Sequence, residues 1–297
     1  MSNRVWFITG ASRGLGRQWV IAALESGGRV AATARDLAAL ADLRQIYGEA
    51  IEPIRLDVTD RQACFDAIAA AHERFGRIDV VVNNAGYGQY GFVEELSEHE
   101  ARTQMDTNFF GALWITQAAL PYLRAQGSGH IIQVSSIGGI LAFPNLSSYH
   151  ASKWALEGMS QSLAAEVEPF GIRVTLVEPG GFDTDWITAA PQSEPLAAYD
   201  SQRSAFESAR MERRVDLGRP EASRGAILAI VDAEDPPLRA FLGRHAFDWA
   251  RAEYQSRLAE WERWQPVAMA AHGRESGQVT TIDGMVPRGA LEARPEK

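Results

Sequence analysis

The sequence predicts an α/β fold of the doubly wound class: a mostly parallel seven-stranded sheet with helices on both faces. Three observations predict it. Short β-branched runs alternate with longer helical stretches along the first two-thirds of the 297-residue chain, and such alternation implies parallel strands joined by helices. The strand runs are nearly continuous in apolar residues, the composition of strands covered on both faces. A glycine-rich turn joins the first strand run to the first helical stretch.

The strand candidates are, in order, "RVWFIT" (4–9), "RVAAT" (29–33), "IEPIRLDV" (51–58), "IDVVVNN" (78–84), "HIIQVSS" (130–136) and "IRVTLVEP" (172–179), with "LRAFLG" from Leu238 as the seventh. Between them lie stretches such as "DLAALADLRQIYG" and "ALEGMSQSLAAEVEPFG", rich in good helix formers. Composition shifts after Thr184. Residues 185–215 hold two prolines and few apolar runs, which predicts a loop and short-helix insertion before a helix starting near Pro220. The stretch "FDWARAEYQSRLAEWERW" is an amphipathic helix, and its tryptophans read as packing or subunit contacts rather than a ligand box. Residues 1–264 are expected as one domain. Residues 265–297 are weakly patterned and are expected as loop or disordered tail without an assigned role.

Bulk composition narrows the function classes. Hydrophobic residues make up 46% and charged residues 23% of the chain, with a net charge of −9 spread without long runs. A nucleic-acid partner is therefore not expected. Cys64 is the sole cysteine, so no intrachain disulfide or cysteine metal cluster is expected, and its apolar-periodic surroundings read as core. The six histidines lack metal-ligand spacing. No apolar run reaches the roughly 18 residues of a membrane span, and "MSNRVWFITG" lacks the features of a secretory signal. A cytoplasmic location is the expectation.

The turn "ITGASRGLG" places Gly10, Gly14 and Gly16 in a G-x-x-x-G-x-G spacing between strand and helix. Glycines there let the chain turn sharply and let backbone approach a pyrophosphate, while free amides at the helix start face its negative charge. An acidic side chain ending the second strand would bond the ribose 2′-hydroxyl of NAD, whereas arginine suits the 2′-phosphate of NADP. In "RVAATARDLAAL" Ala34 holds the acidic position and Arg35 follows it. With Arg13 in the glycine turn, two forked cations can clamp one phosphate. Asp36 competes with this reading unless it caps the next helix. NADP(H) is the expected cofactor, in preference to NAD(H).

In "YHASK" Tyr149 and Lys153 are spaced i, i+4 and share a helix face. A tyrosine with its ordinary pKa of about 10 is a poor base at neutral pH, and a neighbouring ammonium is expected to lower it. Ser136 closes the fifth strand, where a parallel sheet presents residues to its ligand crevice, and its hydroxyl can bond a substrate carbonyl oxygen. His150 points roughly 100° away from Tyr149 and is expected at the surface or in the pocket wall.

These motifs, in this order, resemble the short-chain dehydrogenase/reductase family over roughly residues 3–245. "TGASRGLG" is similar to the family's cofactor turn, which adds Ser12 and Leu15. "LDV" resembles the adenine-contacting segment and implies roles for Asp57 and Val58. "NNAG" resembles the cofactor-lining segment and implies Asn83, Ala85 and Gly86. "TNFFG" holds the family's catalytic asparagine, Asn108, which the resemblance implies anchors a water leading from Lys153. Ser136 stands thirteen residues before Tyr149, the family's separation for its serine. "PGGFDT" resembles the segment beside the nicotinamide and implies Pro179, Gly180, Phe182 and Thr184. The resemblance also implies that Lys153 holds the nicotinamide ribose. Catalysis is thus expected from Asn108, Ser136, Tyr149 and Lys153, in a Rossmann fold that transfers hydride between NADP(H) and a small-molecule carbonyl or alcohol. A homodimer or homotetramer is implied, through the helices carrying "FFGALWITQAALPYL" and "YHASKWALEGMS".

Phe92, Ile140, Phe143 and Trp186 are candidate pocket residues, and their apolar character points to a moderately hydrophobic substrate. With its C-terminal extension, "VEPGGFDTDW" looks more like members near the 17β-hydroxysteroid dehydrogenases than the shorter acyl-carrier-protein reductases. Two alternatives remain open: a non-catalytic NADP(H) sensor, and an epimerase or dehydratase acting on a sugar nucleotide. The first need not keep all four catalytic residue types. The second usually needs a larger domain than the hundred or so residues after "PGGFDT".

Overall fold

In the computed structural model, which describes residues 3–213 and 216–272, seven strands form one sheet. They are β1 (Val5–Ile8), β2 (Arg29–Ala34), β3 (Ile51–Arg55), β4 (Val80–Asn83), β5 (Gly129–Val134), β6 (Ile172–Pro179) and β7 (Arg239–Leu242). The order is β3-β2-β1-β4-β5-β6-β7, with every neighbouring pair parallel. Winding reverses between β1 and β4, which opens a crevice at the carboxyl ends of the strands.

Strand alternation sorts the core into two layers. Trp6, Ile8, Val80, Val82 and Val177 face α1 (Gly14–Glu25), α2 (Ala41–Tyr47) and α9 (Ser223–Asp232), packing with Trp19, Leu43 and Ile227. Val5, Phe7, Val81 and Val174 face α3 (Arg61–Phe75), α5 (Gly111–Gln126) and α6 (Ser147–Val167), packing with Ile68, Ile115 and Leu163. Trp19 Nε1 donates to Ser223 Oγ at 2.9 Å, so the bulky ring also satisfies its polar atom. Cys64 is buried in the second layer, and burial pushes its thiol up to about 12.

Three segments differ from expectation. β3 stops at Arg55 because Asp57 Oδ1 accepts from the amide and hydroxyl of Thr59, turning the chain out of the sheet. The insertion contains α7 (Trp186–Ala189) and a full 14-residue helix, α8 (Asp200–Arg213). After Pro195 that stretch has no glycine or proline up to Arg213, and Asp200 complements the helix dipole. The last helix, α10, runs Ala246–Ala271 through Pro266, so residues 265–271 are helical rather than loop. The "VAMAA" run after that proline favours helix enough to continue it. Residues 273–297 of the expected tail lie outside the described residues.

Contacts along the chain divide it into two units between Ala250 and Arg251. The first holds the sheet. In the second, Trp261 and Trp264 are exposed. Among the described residues no helix is long and apolar enough to cross a membrane.

His130 on β5 is buried, with its Nε2 2.9 Å from Thr175 Oγ1, whose own proton goes to Pro237 O. Burial, then the charges of Arg173 and Arg4, push its pKa down to about 4. The folded ring stays neutral while the unfolded one protonates near pH 6.5, so stability is lost as the pH falls from about 6.5 to about 4. His130→Gln is expected to remove on the order of 2–3 kcal/mol of that loss, read from urea midpoints across this range. An unchanged slope would contradict the assignment.

Candidate active site

The crevice is a cleft of about 1510 Å³, more than one ordinary small-ligand pocket occupies. Its floor begins where β1 ends. Gly10 and Gly14 adopt positive φ, +64° and +57°, and so admit the tight turn. A Cβ on Gly16 would lie 2.3 Å from Asn84 Nδ2 and 2.5 Å from Gly10 O, so this glycine lets helix and turn touch. α1 opens at Arg13 with no side-chain cap. Its first amides are therefore not consumed by a side chain and suit an anion.

Ser12, Arg13, Gly14 and Leu15 line this end of the cleft with Gly10. Arg35 lines it from the end of β2, and Asp57 and Val58 from the turn after β3. Asp36 accepts from Ala38 N at 2.9 Å as a helix cap. Arg13 stands 4.0 Å from Asp185, both side chains exposed. Ala85, Gly86, Pro179, Gly180, Phe182 and Thr184 complete the long wall. This donor set, with uncapped helix amides and two arginines at one end, fits a dinucleotide phosphate.

Two expected cofactor residues are not on that wall. Asn83 is 4% exposed, and its Nδ2 donates to Thr116 Oγ1 and Gln133 Oε1, both at 3.0 Å. It points into the α5 layer because alternate strand residues face opposite sides. Gly16 packs under the turn. Asn84 lines the cleft instead, and its Nδ2 donates to Thr9 O and Gly10 O at 2.9 and 3.0 Å, tying the end of β4 to the glycine turn.

α6 carries Tyr149 and Lys153 into the cleft, with Ser136 facing them from the end of β5. Lys153 is 6% exposed, and its Nζ donates to Val134 O at 2.8 Å while standing 5.8 Å from the Tyr149 ring centroid. Burial pushes Lys153 down to about 8, opposed by the charge of Glu157. Tyr149 behaves opposite to expectation. Burial raises its pKa to about 12, partly offset by the hydrogen bond with Ser136. The ammonium, turned to the Val134 carbonyl, does not reverse this. The phenol therefore stays protonated at neutral pH, the state of a proton donor.

Asn108 lies one layer behind, in a π-helical turn, Asp106–Phe110, between α4 (Glu98–Met105) and α5. Its Oδ1 accepts from Tyr87 N, and its Nδ2 donates to Tyr87 O and Ser152 Oγ, at 3.1, 2.9 and 3.0 Å. A Cβ on Gly86 would lie 3.1 Å from Asn108 Oδ1 and 3.6 Å from Lys153 Nζ, so the missing side chain lets the two approach. His150 is 4% exposed and lines the cleft, so of its two expected places it takes the pocket wall and not the surface. Its Nδ1 pairs with Gly138 O at 2.8 Å and its Nε2 accepts from Phe143 N at 2.9 Å. Its ring is thereby used up in pinning the loop after Ser136, and burial lowers its pKa.

Phe92, Phe143 and Trp186 line the far half of the cleft. The Trp186 ring meets Tyr149 edge-on at 5.1 Å between centroids. Ile140 does not line it: at 3% exposure it packs with Ile137, Ala246 and Ala250 beneath the loop. Among the described residues no group of histidine, cysteine or acidic side chains could hold a metal.

A family model described as short chain dehydrogenase matches residues 4–195. The chain belongs to the short chain dehydrogenase family of oxidoreductases. Oxidoreductase BOA17 of Botryotinia fuckeliana is 41% identical over 275 residues, 91% of this chain and 99% of that protein. A crystal structure of a short-chain dehydrogenase from Streptomyces avermitilis superposes with TM-score 0.86 at 40% identity, covering 91% of this chain and 98% of that one. The alcohol dehydrogenase of Thermococcus sibiricus, complexed with 5-hydroxy-NADP, is 26% identical with TM-score 0.69 over 81% of this chain and 96% of that one.

The short chain dehydrogenase match ends before α8, whose Phe206 and Arg210 add to the far wall. Phe206 meets Tyr90 at 6.3 Å, and the Arg210 guanidinium lies 5.2 Å over the same ring. Sequence reading missed these residues, although their i, i+4 spacing was a helical signal. Gly16→Ala is expected to cost about 1–3 kcal/mol by overpacking, lowering the urea midpoint. An unchanged midpoint would mean that Asn84 can yield.

Proposed function

We propose that this oxidoreductase uses NADP(H) to transfer hydride reversibly between the nicotinamide and a moderately hydrophobic ketone, aldehyde or secondary alcohol, with Tyr149 as general acid or base. The observation that carries the reading is the buried Tyr149 phenol, hydrogen-bonded to Ser136 and flanked by Lys153 in a cleft that opens on uncapped helix amides. Bound NADPH supplies the hydride. Ser136 and Tyr149 hydrogen-bond the substrate oxygen. As the carbonyl carbon gains hydride, the π pair moves to that oxygen and takes the Tyr149 proton. Lys153 holds the nicotinamide ribose and supports reprotonation of Tyr149. Asn108, anchored to Tyr87 and Ser152, steadies the route from Lys153 toward solvent.

NADP is preferred because Ala34 leaves no acid for the ribose 2′-hydroxyl and Asp36 is engaged as a cap, while Arg13 and Arg35 suit a 2′-phosphate. The 5-hydroxy-NADP bound by the Thermococcus sibiricus enzyme supports the same choice. A ketone beside an apolar chain fits the aromatic far wall. It agrees with a relative from Bacteroides thetaiotaomicron, 3-ketodihydrosphingosine reductase, 36% identical over 82% of this chain and 89% of that protein. Cytoplasmic operation as a homodimer or homotetramer through α5 and α6 completes the proposal.

Tyr149→Phe is expected to cut turnover at least about 100-fold while NADPH affinity stays within about twofold, read by NADPH oxidation and by titration. Turnover within a few-fold of wild type would remove Tyr149 as the acid. Arg35→Ser is expected to lower kcat/KM for NADPH about tenfold without a matching loss for NADH. An equal loss with both cofactors would contradict the clamp.

A further inference from the structure

At the back of the cleft, which Ser135 lines and Glu157, Glu178 and Arg239 do not, polar side chains from four parts of the fold converge. Glu157 lies on α6 one turn after Lys153. Glu178 lies on β6 immediately before Pro179. Arg239 opens β7, and Ser135 follows β5 immediately before Ser136. Glu178 is 0% exposed and Glu157 6%. Arg239 Nε stands 3.0 Å from Glu157 Oε2 and 3.4 Å from Glu178 Oε1, and its Nη2 donates to Gln161 Oε1 at 2.9 Å. A Cβ on Gly139 would lie 2.6 Å from Ser135 Oγ and 3.1 Å from Glu157 Oε1, so both crowd that glycine.

Two buried carboxyls thus face a single guanidinium. They lie within hydrogen-bond reach of each other, yet neither Glu178 oxygen has a hydrogen-bond donor among the described residues. Two carboxylates are acceptors only and cannot bond one another. Leaving both ionised in a dry interior would set Glu178 against the like charge of Glu157 with only a shared guanidinium to offset it, since Lys153 meets Glu157 alone. One proton between them removes both difficulties.

We propose that Glu157 and Glu178 share a proton against Arg239, and that the negative charge remaining at Glu157 is a positioning element that keeps Lys153 an ammonium. Burial, then the charge of Glu157, raises Glu178 to about 8, with Arg239 opposing. Glu157 is also raised by burial, opposed by Ser135 and Arg239. The ionisable groups facing the pair are Arg239 from β7 and Lys153 from α6; β5 and the turn after it offer the Ser135 hydroxyl. The groups facing Lys153 are Glu157 and Tyr149 on its own helix, the Val134 carbonyl from β5 and neutral Asn108 beside Gly86. Glu157 is the carboxylate opposing the loss of the lysine proton. Glu178 and Lys153 are both brought to about 8 and both feel the charge of Glu157, so their titrations are coupled through it.

The first arm of the test does not depend on the proposed reaction. Glu178 has a folded pKa above its unfolded value, so the folded state holds a proton that the unfolded state has released. The Glu178 contribution to stability should therefore fall as the pH rises from about 4.5 toward about 8, offset below about pH 6.5 by the opposite contribution of His130 and uncompensated by it above. Glu178→Gln, whose amide can donate to Glu157 as the protonated acid does, should flatten this slope in urea-midpoint measurements on the full chain. The same slope in the variant as in wild type overturns the shared proton.

The second arm rests on Lys153 serving the proposed reaction. Turnover should decline above about pH 8 in wild type, where Lys153 loses its proton. Glu157→Gln should move this alkaline limb down by about one pH unit, and Glu157→Asp, which keeps a carboxylate, should restore most of the shift. A folded, active Glu157→Gln whose limb stays where wild type has it overturns the positioning role, because a merely structural residue would lower turnover without moving the limb. If Glu157→Gln does not fold, Glu157→Asp, whose shorter side chain draws the carboxylate back from Lys153, carries this arm: a limb moved down by part of a pH unit supports the role, and one that stays where wild type has it overturns it. Should no substrate be turned over at all, the proposed reaction fails while the stability slope still decides the shared proton.

Discussion

The hydrogen bond from Lys153 Nζ to the carbonyl of Val134 ties the helix that carries the candidate catalytic pair to the strand that carries Ser136. It closes the gap between β5 and α6 at the carboxyl edge of the sheet, where the reversal between β1 and β4 opens the crevice. An ammonium buried among apolar strands must find an acceptor. The carbonyl at the end of β5 is available because the strand ladder stops there. Once Lys153 is fixed, the i, i+4 spacing fixes Tyr149, and Gly86 has to lack a side chain so that Asn108 can approach from behind.

Burial works on the two partners in opposite directions. It raises the phenol to about 12 and lowers the ammonium to about 8, since in each case it penalises the charged form. In the protein by itself this favours proton donation by Tyr149 over proton removal. On the proposed reading the resting site is therefore poised for carbonyl reduction, with Ser136 holding the oxygen that receives the proton. The carboxyl pair behind α6 is the counterweight that keeps the lysine from going neutral too early.

Much of the fold was legible because fully covered strands are written as unbroken β-branched runs. The positions of Gly10, Gly14, Arg35, Ser136, Tyr149 and Lys153 along the cleft were legible because each sits at a strand end or on a helix face whose direction spacing predicts. Asn83 was not, since a motif names neighbours without saying which side of the strand each one faces; Asn84 is the one that turns to the cleft. Ile140 was taken for a wall residue because apolar character does not separate lining from packing beneath. α8 was hidden by its polarity, as its apolar residues meet a cleft wall and not the main core. Glu157, Glu178 and Arg239 lie far apart in the chain and converge only when β6 and β7 pair. The rise in the Tyr149 pKa was likewise invisible, because spacing reports the nearby ammonium but not the depth of burial.

The central claim is that hydride passes directly between nicotinamide and substrate carbon in this cleft. Reduction of an aromatic or long-chain ketone with NADPH carrying deuterium at the transferable position of C4, followed by mass spectrometry and NMR of the alcohol, tests it most directly. The account predicts one deuterium on the carbinol carbon of each product molecule. Deuterium retained on the cofactor or found in water, with an unlabelled product, would contradict it.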